Sequence, residues 1–275
     1  MTLKKKTEQA IKLLQVFAKD KTVEVCFSGG KDSEVILELA KMSGINYRAI
    51  YRNTTIDPPG TIAHCKSKGV EIAPPKEKFF EIVKKHGMPT RRVRFCCSLL
   101  KEYKILDYAV QGIRRCESAA RAKRYKEPTI CRVYGSKACS VEVCLPILDW
   151  SDKDVEEFIK SRGIKCHPLY YDEQGKFQVR RRLGCVGCPM QADNGVGDFQ
   201  ARQKLFKRLV DCVKVWYDTH PNISSRKKFG SVYNLVYHNL FCKTYDDYLT
   251  KTQRNLFGED FDAKRYLEKY FRIKL

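Results

Sequence analysis

The sequence contains no apolar run that approaches the roughly 20 residues a helix needs to cross a bilayer. Its basic start, residues 1–7, is followed by an amphipathic helical pattern and not by the apolar core of a signal peptide. We therefore expect a cytoplasmic protein that has no membrane partner.

Acidic residues are scarce beside basic ones, with 32 Asp and Glu against 53 Lys and Arg and a formal net charge of +21. Within residues 91–126, eleven Lys and Arg accompany only three Asp and Glu. Such a charge attracts any polyanion, and a small nucleotide, DNA and RNA fit it equally well. Zinc-finger spacing and the aromatic signature of RNA-recognition motifs are both absent. The charge thus predicts an anionic partner but does not identify it, and nucleic acid is among the candidates.

Internal repeats and low-complexity tracts are also absent, and the first half of the chain alternates short apolar runs with helical patterns. This alternation predicts an α/β fold, in which a parallel twisted sheet carries helices on both faces. After residue 198 the pattern changes to two long helices rich in aromatic and basic residues, predicted over Asp198–Thr219 and Val232–Lys251. We therefore expect two domains. The first, over residues 1–198, is an α/β domain that contains the nucleotide-binding and iron–sulfur residues predicted below, and the second, over residues 199–275, is a helical region rich in basic and aromatic residues.

A glycine-rich turn follows the first predicted strand, Val23–Phe27, and precedes a predicted helix, Glu34–Met42. Two adjacent glycines let the backbone approach an anion closely, and the first amides of the helix point at the same spot. The turn is not a Walker loop, because its glycines are not four residues apart and no Gly-Lys-Ser/Thr follows. It predicts a phosphate site formed by Ser28, Gly29, Gly30, Lys31, Asp32 and Ser33.

A second polar segment, Asn53-Thr54-Thr55, follows the next predicted strand, Tyr47–Tyr51. Ligands of open parallel sheets bind beyond the carboxyl ends of the strands. We therefore expect Asn53, Thr54 and Thr55 to reach the base or ribose of a nucleotide whose phosphates lie on the first loop.

Cysteines, in contrast, are plentiful: the chain has thirteen. In a reducing compartment, grouped cysteines bind metal or perform chemistry more often than they form disulfides. Cys185 and Cys188 form a tight Cys-x-x-Cys, and Cys96 and Cys97 form a tandem pair. Four sulfur ligands suit zinc or an iron–sulfur cluster. The adjacent pair favours a [4Fe–4S] cluster over zinc, because neighbouring side chains diverge and a cubane has irons several ångströms apart.

The Ser-Gly-Gly turn resembles the pyrophosphate loop of the ATP-pyrophosphatase (PP-loop) superfamily, which includes GMP synthetase, thiouridine-forming enzymes and sulfonucleotide reductases. Further segments resemble the phosphoadenosine phosphosulfate (PAPS) reductase family, and the cysteine pairs resemble adenylyl-sulfate reductases with a [4Fe–4S] cluster. The matching segments span roughly residues 20–192 in family order. They are Gly112-Ile113-Arg114-Arg115-Cys116-Glu117-Ser118-Ala119-Ala120-Arg121, Leu145-Pro146-Ile147-Leu148-Asp149-Trp150-Ser151-Asp152-Lys153-Asp154-Val155 and His167-Pro168-Leu169-Tyr170.

The resemblance implies that the loop binds ATP, adenylyl sulfate or PAPS. Lys31 would bind the phosphates and Asp32 would position Mg²⁺ or water. Arg114 and Arg121 suit bidentate contacts to a second anion, although a solvated helix face explains them as well. A homo-oligomer and a sulfur- or electron-donor protein stay open as partners.

The reaction has more than one candidate. The reductases use a cysteine in a Glu-Cys-Gly-Leu-His tail, a motif that is not in this sequence. The segment Thr54-Thr55-Ile56-Asp57-Pro58-Pro59-Gly60 resembles relatives used in DNA phosphorothioation and those carried by phages. We therefore expect ATP-dependent sulfur transfer to nucleic acid. The alternatives are a sulfonucleotide reductase that releases sulfite and a non-catalytic nucleic-acid-binding partner.

Overall fold

A computed structural model describes residues 1–134, 140–253 and 260–275. The chain divides into two compact units, each made of two segments. The sheet unit comprises Met1–Pro75 and Ser98–Gly184, and the helical unit comprises Lys76–Cys97 and Cys185–Leu275. The domain boundary at residue 198 stays a prediction.

Among the described residues, six strands form one sheet in the order β3-β2-β1-β4-β6-β5. Neighbouring strands run parallel, except for β5 and β6, which are antiparallel. The α/β fold with a mainly parallel sheet is therefore confirmed. The strands are β1 (Val23–Cys26), β2 (Tyr47–Arg52), β3 (Glu71–Ala73), β4 (Tyr108–Val110), β5 (Thr129–Val133) and β6 (Ser140–Cys144).

The order of the strands places a switch point beside β1. The chain builds outward from β1 through β2 to β3, and then returns to the other side of β1 to form β4. At such a point the loops after adjacent strands diverge and open a crevice at the carboxyl edge of the sheet. The loop of residues 28–33 begins at this crevice.

Some of the helices begin or end at residues that satisfy their terminal backbone groups. Helix α2 ends at Gly44, which adopts φ = +65°, and α7 begins at a capping box made by Ser151 and Asp154. The helices are α1 (Leu3–Phe17), α2 (Lys31–Ser43), α3 (Thr61–Ser67), α4 (Phe79–His86), α5 (Phe95–Leu100), α6 (Ala119–Arg124), α7 (Asp152–Ser161), α8 (Val196–Ala201), α9 (Gln203–Thr219), α10 (Ser224–Phe229), α11 (Val232–Phe241), α12 (Tyr245–Lys251) and α13 (Ala263–Phe271).

The main core of the sheet unit joins β1 to α1, α2 and α7. Leu14, Val25 and Ile36 are completely buried in it. Because α2 is anchored by this apolar contact, its first turn is held at a fixed position above the end of β1. The core thus positions the loop of residues 28–33.

The helical unit differs from the two long helices that the sequence predicts. The first is interrupted at Arg202, so that α8 and α9 are separate, and the second is interrupted between α11 and α12. At the second break, the side chain of Thr244 accepts a hydrogen bond from the amide of Asp247 at 3.1 Å and starts a new helix. No helix in the described part of the chain combines the length and apolarity that a membrane crossing requires.

Candidate nucleotide site and cysteine group

The loop between β1 and α2 requires its two glycines for different reasons. Gly29 adopts φ = +76°, a conformation that glycine takes without steric cost. A Cβ at Gly29 would lie 3.1 Å from Cδ2 of Leu183, and one at Gly30 would lie 3.3 Å from Oγ of Ser28. The loop therefore folds tightly, and the hydroxyls of Ser28 and Tyr170 accept hydrogen bonds from the amides of Gly30 and Lys31.

Donors for an anion lie at the start of α2. Gly30 is the N-cap residue and offers no side chain to cap the helix. Among the described contacts, the amides of Asp32 and Ser33 donate no hydrogen bond. Free amides at the start of a 13-residue helix, together with the helix dipole, form a site for a phosphate. The hydroxyls of Ser28 and Ser33 lie 3.3 Å apart beside them.

Asp32 lies between two cations. Its Oδ2 is 2.9 Å from Nζ of Lys31, and its Oδ1 accepts a hydrogen bond from Nε of Arg114 at 2.7 Å. The side chain of Lys31 is only 5% exposed and that of Arg114 only 1%. Both cations are thus held in place by the same carboxylate, and Asp32 offers no oxygen that lacks a cationic partner.

The guanidinium of Arg114 makes several polar contacts. Besides Asp32, its guanidinium donates to Oδ1 of Asp152 at 2.8 Å and contacts the carbonyl of Trp150 and the sulfur of Cys116. Burial would lower the pKa of Arg114, but the charges of Asp32 and Asp152 outweigh this effect and raise it. These contacts favour a role in positioning Asp32 over the direct contact with a second anion that the sequence suggests.

The surroundings of Arg121 differ from those of Arg114, because positive charge exceeds negative charge around Arg121. Both Arg121 and Arg182 contact the carboxylate of Glu117, so two guanidinium groups share one negative charge. Burial and the neighbouring charge of Arg182 lower the pKa of Arg121, while the charge of Asp32 acts in the opposite direction. Of the two predicted arginines, Arg121 is therefore the one whose charge is incompletely neutralised and suits an incoming anion.

A cavity of about 210 Å³ opens beside the loop, and Ser28 and Thr54 both line it. Ligand pockets usually measure ~300–1,000 Å³, so this one suits part of a ligand, such as a base or ribose. Asn53 and Thr55 lie outside its lining. The side chain of Asn53 instead accepts a hydrogen bond from the amide of Thr55 at 2.8 Å and shapes the turn after β2.

Sequence reasoning assigned no role to Tyr170, Gln111, Arg132 or Tyr134. The hydroxyl of Tyr170 accepts hydrogen bonds from the amides of Lys31 at 3.1 Å and Leu183 at 3.3 Å. The other three side chains line the 210 Å³ cavity. The His-Pro-Leu-Tyr segment carried a signal for Tyr170, whereas the others lie on or directly after strands whose pairing the sequence did not reveal.

Gly112 approaches the loop from β4. A Cβ at this position would lie 2.8 Å from the carbonyl oxygen of Asp32. We expect Gly112→Ala to displace the start of α2, lower the free energy of unfolding by about 1–3 kcal/mol, and weaken ATP binding about tenfold or more. Calorimetric titration with a non-hydrolysable ATP analogue and urea denaturation would measure the two effects.

The matched control is Gly44→Ala at the other end of α2. Gly44 has φ = +65° and no atom within 4 Å of an added Cβ, so its replacement costs about 1–2 kcal/mol through backbone strain alone. We expect this variant to bind the ATP analogue as the unmodified chain does. Equal ATP affinity in the Gly112→Ala variant and the unmodified chain would contradict the role of this contact.

The four predicted metal ligands all belong to the helical unit. Cys96, Cys97, Cys185 and Cys188 are each partly buried. The pKa of the Cys96 thiol is raised by its hydrogen bond with Cys97, by burial, and by the charges of Cys97, Cys185 and Cys188. The four sulfurs therefore share one electrostatic neighbourhood.

The chemistry of this cysteine group fits a thiolate-bound centre, either zinc or iron–sulfur. Within residues 1–134, 140–253 and 260–275, however, no three His, Cys, Asp or Glu side chains are grouped so that they could hold a metal ion. The residue types thus match a metal centre, while the positions of the sulfurs do not by themselves form one.

The turn at residues 185–188, which we call the knuckle, is fixed by Asp198. One carboxylate oxygen of Asp198 accepts hydrogen bonds from the amide of Gly187 at 2.9 Å and from the side chain of Gln191 at 2.7 Å. Gln191 also donates to the carbonyl of Cys185 at 3.3 Å. The backbone of the knuckle is therefore held by side chains that follow it in the sequence.

The chain is similar to known proteins over most of its length. The family model for the phosphoadenosine phosphosulfate reductase domain matches residues 22–191. An uncharacterized protein of Methanocaldococcus jannaschii is 31% identical over 232 residues, which cover 77% of this chain and 53% of that protein. An uncharacterized 37.8 kDa protein of Escherichia phage 186 is 31% identical over 139 residues, 44% of this chain and 38% of that protein. The chain thus spans about half the length, or less, of these relatives.

Solved structures with a similar fold are more distant in sequence. The phosphoadenylyl-sulfate reductase of Candida auris, in a phosphate complex, is 16% identical, with a TM-score of 0.41, and the match covers 61% of this chain and 88% of that one. The U34-tRNA thiolase NcsA of Methanococcus maripaludis with its [4Fe-4S] cluster is also 16% identical, with a TM-score of 0.43 and coverage of 80% and 82%.

Proposed function

The chain belongs to the phosphoadenosine phosphosulfate reductase family, and from this premise we propose that it is an enzyme that uses ATP to activate nucleic acid for sulfur transfer. The observation that carries the proposal is the start of α2, where, among the contacts of the described residues, the amides of Asp32 and Ser33 beside Lys31 donate no hydrogen bond. This arrangement supports the binding of a pyrophosphate group.

In the proposed reaction, an oxygen atom of the nucleic acid attacks the α-phosphorus of ATP. Pyrophosphate leaves with the electron pair of the broken P–O bond, and any proton of the attacking group goes to solvent. A hydrosulfide-level donor then attacks the atom that bears the activated oxygen, and AMP leaves with that oxygen. Neither step changes an oxidation state, so the transfer needs no reductant.

The residues of the loop would act mainly on the leaving group. The amides at the start of α2 and Nζ of Lys31 would stabilise the charge that develops on pyrophosphate. Arg121, with Arg182, would meet further negative charge, and Arg114 would keep Asp32 in position. The binding of Mg²⁺ at Asp32 stays a prediction. Both oxygens of this carboxylate already contact cations, namely Lys31 and Arg114.

The cysteine group would hold a [4Fe–4S] cluster through Cys96, Cys97, Cys185 and Cys188, with zinc as the alternative. When bound, such a cluster supplies structure, local electrostatics and a site for handling sulfur. The mutual charge effects on the pKa of Cys96 support this proposal, since clustered thiolates are stabilised by a positive metal centre.

Sulfonucleotide reduction would require a reactive thiolate near the loop. Cys65 lies close to Gly29, and the charges of Lys31 and Asp32 influence Cys166. Burial is the main effect that raises the pKa of each of these thiols to about 12. They therefore stay protonated at neutral pH, which favours transfer over reduction by these residues.

Product analysis tests the proposal. The anaerobically purified chain is incubated separately with ATP, adenylyl sulfate and PAPS, with nucleic acid present, and scored for pyrophosphate, AMP and sulfite. We expect pyrophosphate and AMP from ATP, and a loss of about 100-fold or more in Lys31→Met. Lys41→Met, an exposed lysine in the last turn of the same helix, is the matched control and should retain the activity.

Other outcomes of this experiment would assign a different function. Sulfite from either sulfonucleotide would assign the reductase reaction, and no product together with tight nucleic-acid binding would assign a non-catalytic binding partner.

A further inference from the structure

A cavity of about 570 Å³ lies within the helical unit, apart from the residues assigned to the nucleotide site. We call it the basic cavity. Its lining includes Arg91, Arg92, Lys228, His238, Lys243 and Tyr245. Its volume is within the ~300–1,000 Å³ range of ligand pockets.

The charge of the basic cavity is not neutralised. Four of its lining residues are Lys or Arg, and none is Asp or Glu. Within the described part of the chain, none of the four cations has a carboxylate within ion-pair distance. Asp247 pairs with Lys251 at 3.2 Å and accepts a hydrogen bond from the backbone amide of Lys243 at 2.8 Å, but among the described contacts it forms no ion pair with the side chain of Lys243. The cavity is thus suited to an anionic ligand.

Arg91 fixes the segment of the cavity wall that directly follows the knuckle in the sequence. Its guanidinium donates to the carbonyls of Pro189 at 2.9 Å and Gln191 at 2.5 Å, and to the side chain of Asn194 at 2.9 Å. Pro189 directly follows Cys188 and lines the cavity. A ligand in the basic cavity would therefore lie beside the cysteine group.

The aromatic rings at the cavity are already covered. Nζ of Lys228 lies 3.8 Å from the centroid of the Tyr245 ring, and the ring of Tyr248 stacks on Tyr245 at 5.7 Å. His238 packs against Phe229 and Tyr248. Because these rings offer no open face for a base, recognition at this site depends on charge and not on stacking.

We propose that the basic cavity binds the phosphodiester backbone of the nucleic acid that receives sulfur, and holds it beside the cysteine group. The inference rests on the proposed function and adds to it the surface that binds the substrate. Arg92, Lys228 and Lys243 contact the phosphates, and the fixed guanidinium of Arg91 adds to the positive charge of the wall. Contacts of this kind are tolerant of sequence and sensitive to salt.

The test uses the full chain with fluorescein-labelled single-stranded DNA and RNA of one sequence. The variant combines Arg92→Gln, Lys228→Gln and Lys243→Gln, and fluorescence anisotropy is measured over a range of salt concentrations. Loss of three phosphate contacts should lower the slope of log affinity against log salt by about 2 and weaken binding about 10–100-fold at low salt. The two polymers are separate arms that distinguish the substrate.

The matched control removes the same charge from the helical unit outside the cavity, through Lys204→Gln, Lys214→Gln and Lys269→Gln, three exposed positions. It should retain the affinity and slope of the unmodified chain. Equal losses in both triple variants, no binding of either polymer, or equally tight binding of polyglutamate would overturn the proposal.

Pyrophosphate release from ATP is measured in the same samples to separate the two proposals. Oligonucleotide binding that depends on the cavity residues, without pyrophosphate release, would support nucleic-acid binding at the basic cavity and contradict the proposed reaction. Pyrophosphate release, together with an oligonucleotide affinity that is unchanged in the cavity variant, would support the proposed reaction and overturn the role of the cavity.

Discussion

Gly187→Ala is expected to abolish metal binding at the cysteine group and to lower the free energy of unfolding by about 3 kcal/mol or more. Gly187 adopts φ = +67° inside the knuckle, and a Cβ there would lie 2.1 Å from Cζ of Phe199. Phe199 is 1% exposed and packs against Phe206. The backbone of Gly195 packs against Gly187 as well. The knuckle must therefore shift, and Cys185 and Cys188 must shift with it.

Gly230→Ala separates this steric effect from backbone strain. Gly230 also belongs to the helical unit and has φ = +68°, but no atom lies within 4 Å of an added Cβ. The Gly230→Ala substitution should lower the free energy of unfolding by about 1–2 kcal/mol and leave the metal content unchanged. Iron, zinc and acid-labile sulfide are measured after anaerobic purification, with urea denaturation alongside. A Gly187→Ala variant that binds as much metal as the unmodified chain would show that the knuckle is not a ligand site.

Local patterns in the sequence were sufficient for the first half of the sheet unit. The strand that begins at Val23, the glycine turn and the helix that ends before Gly44 are all present. These elements are specified by apolar periodicity and by residues at their ends, which act within a few positions along the chain.

Contacts between distant segments were the part that local patterns could not supply. Arg114 and Asp32 are 82 positions apart, and the antiparallel pairing of β5 with β6 at the sheet edge has no local signature. The contact of Arg114 with an anion stays a prediction, and the sequence could not show the contacts that Arg114 makes in the fold. A lone arginine beside a glutamate suits either role, and only the fold brings two further carboxylates to it.

The helical unit shows a related limit. Its residues come from two separate segments, 76–97 and 185–275, which no composition shift along the chain would reveal. The sequence could identify the positive charge of the protein but not its distribution. The fold brings Arg92, from the first segment, to the same cavity as Lys228 and Lys243 from the second. Cations that are distant in the sequence thereby come together in the lining of one cavity.

Arg114→Met is expected to lower the free energy of unfolding by about 2–3 kcal/mol, because it removes the charged hydrogen bonds of a buried guanidinium to Asp32, which keeps Lys31 as a partner, and to the half-exposed Asp152. Arg114 is 1% exposed and donates to Asp32 at 2.7 Å and Asp152 at 2.8 Å. Since Lys31 would be the only remaining cation on Asp32, the start of α2 should also lose its fixed geometry, and ATP affinity should fall about tenfold or more. Urea denaturation and calorimetric titration with a non-hydrolysable ATP analogue measure both effects.

A double-mutant cycle with Asp32→Asn distinguishes positioning of Asp32 from general loss of packing. If Arg114 acts through Asp32, its replacement should cost at least 1 kcal/mol less in the Asp32→Asn background, because contacting residues are not additive. Arg115→Met is the neighbouring control: its carboxylate partner, Asp149, has a side chain that is 67% exposed, and such pairs contribute about 1 kcal/mol or less. Equal costs of Arg114→Met in both backgrounds would assign the guanidinium to packing alone. A reduced cost would instead tie the buried arginine to the phosphate loop, because Asp32 is the residue through which Arg114 and Lys31 are both held.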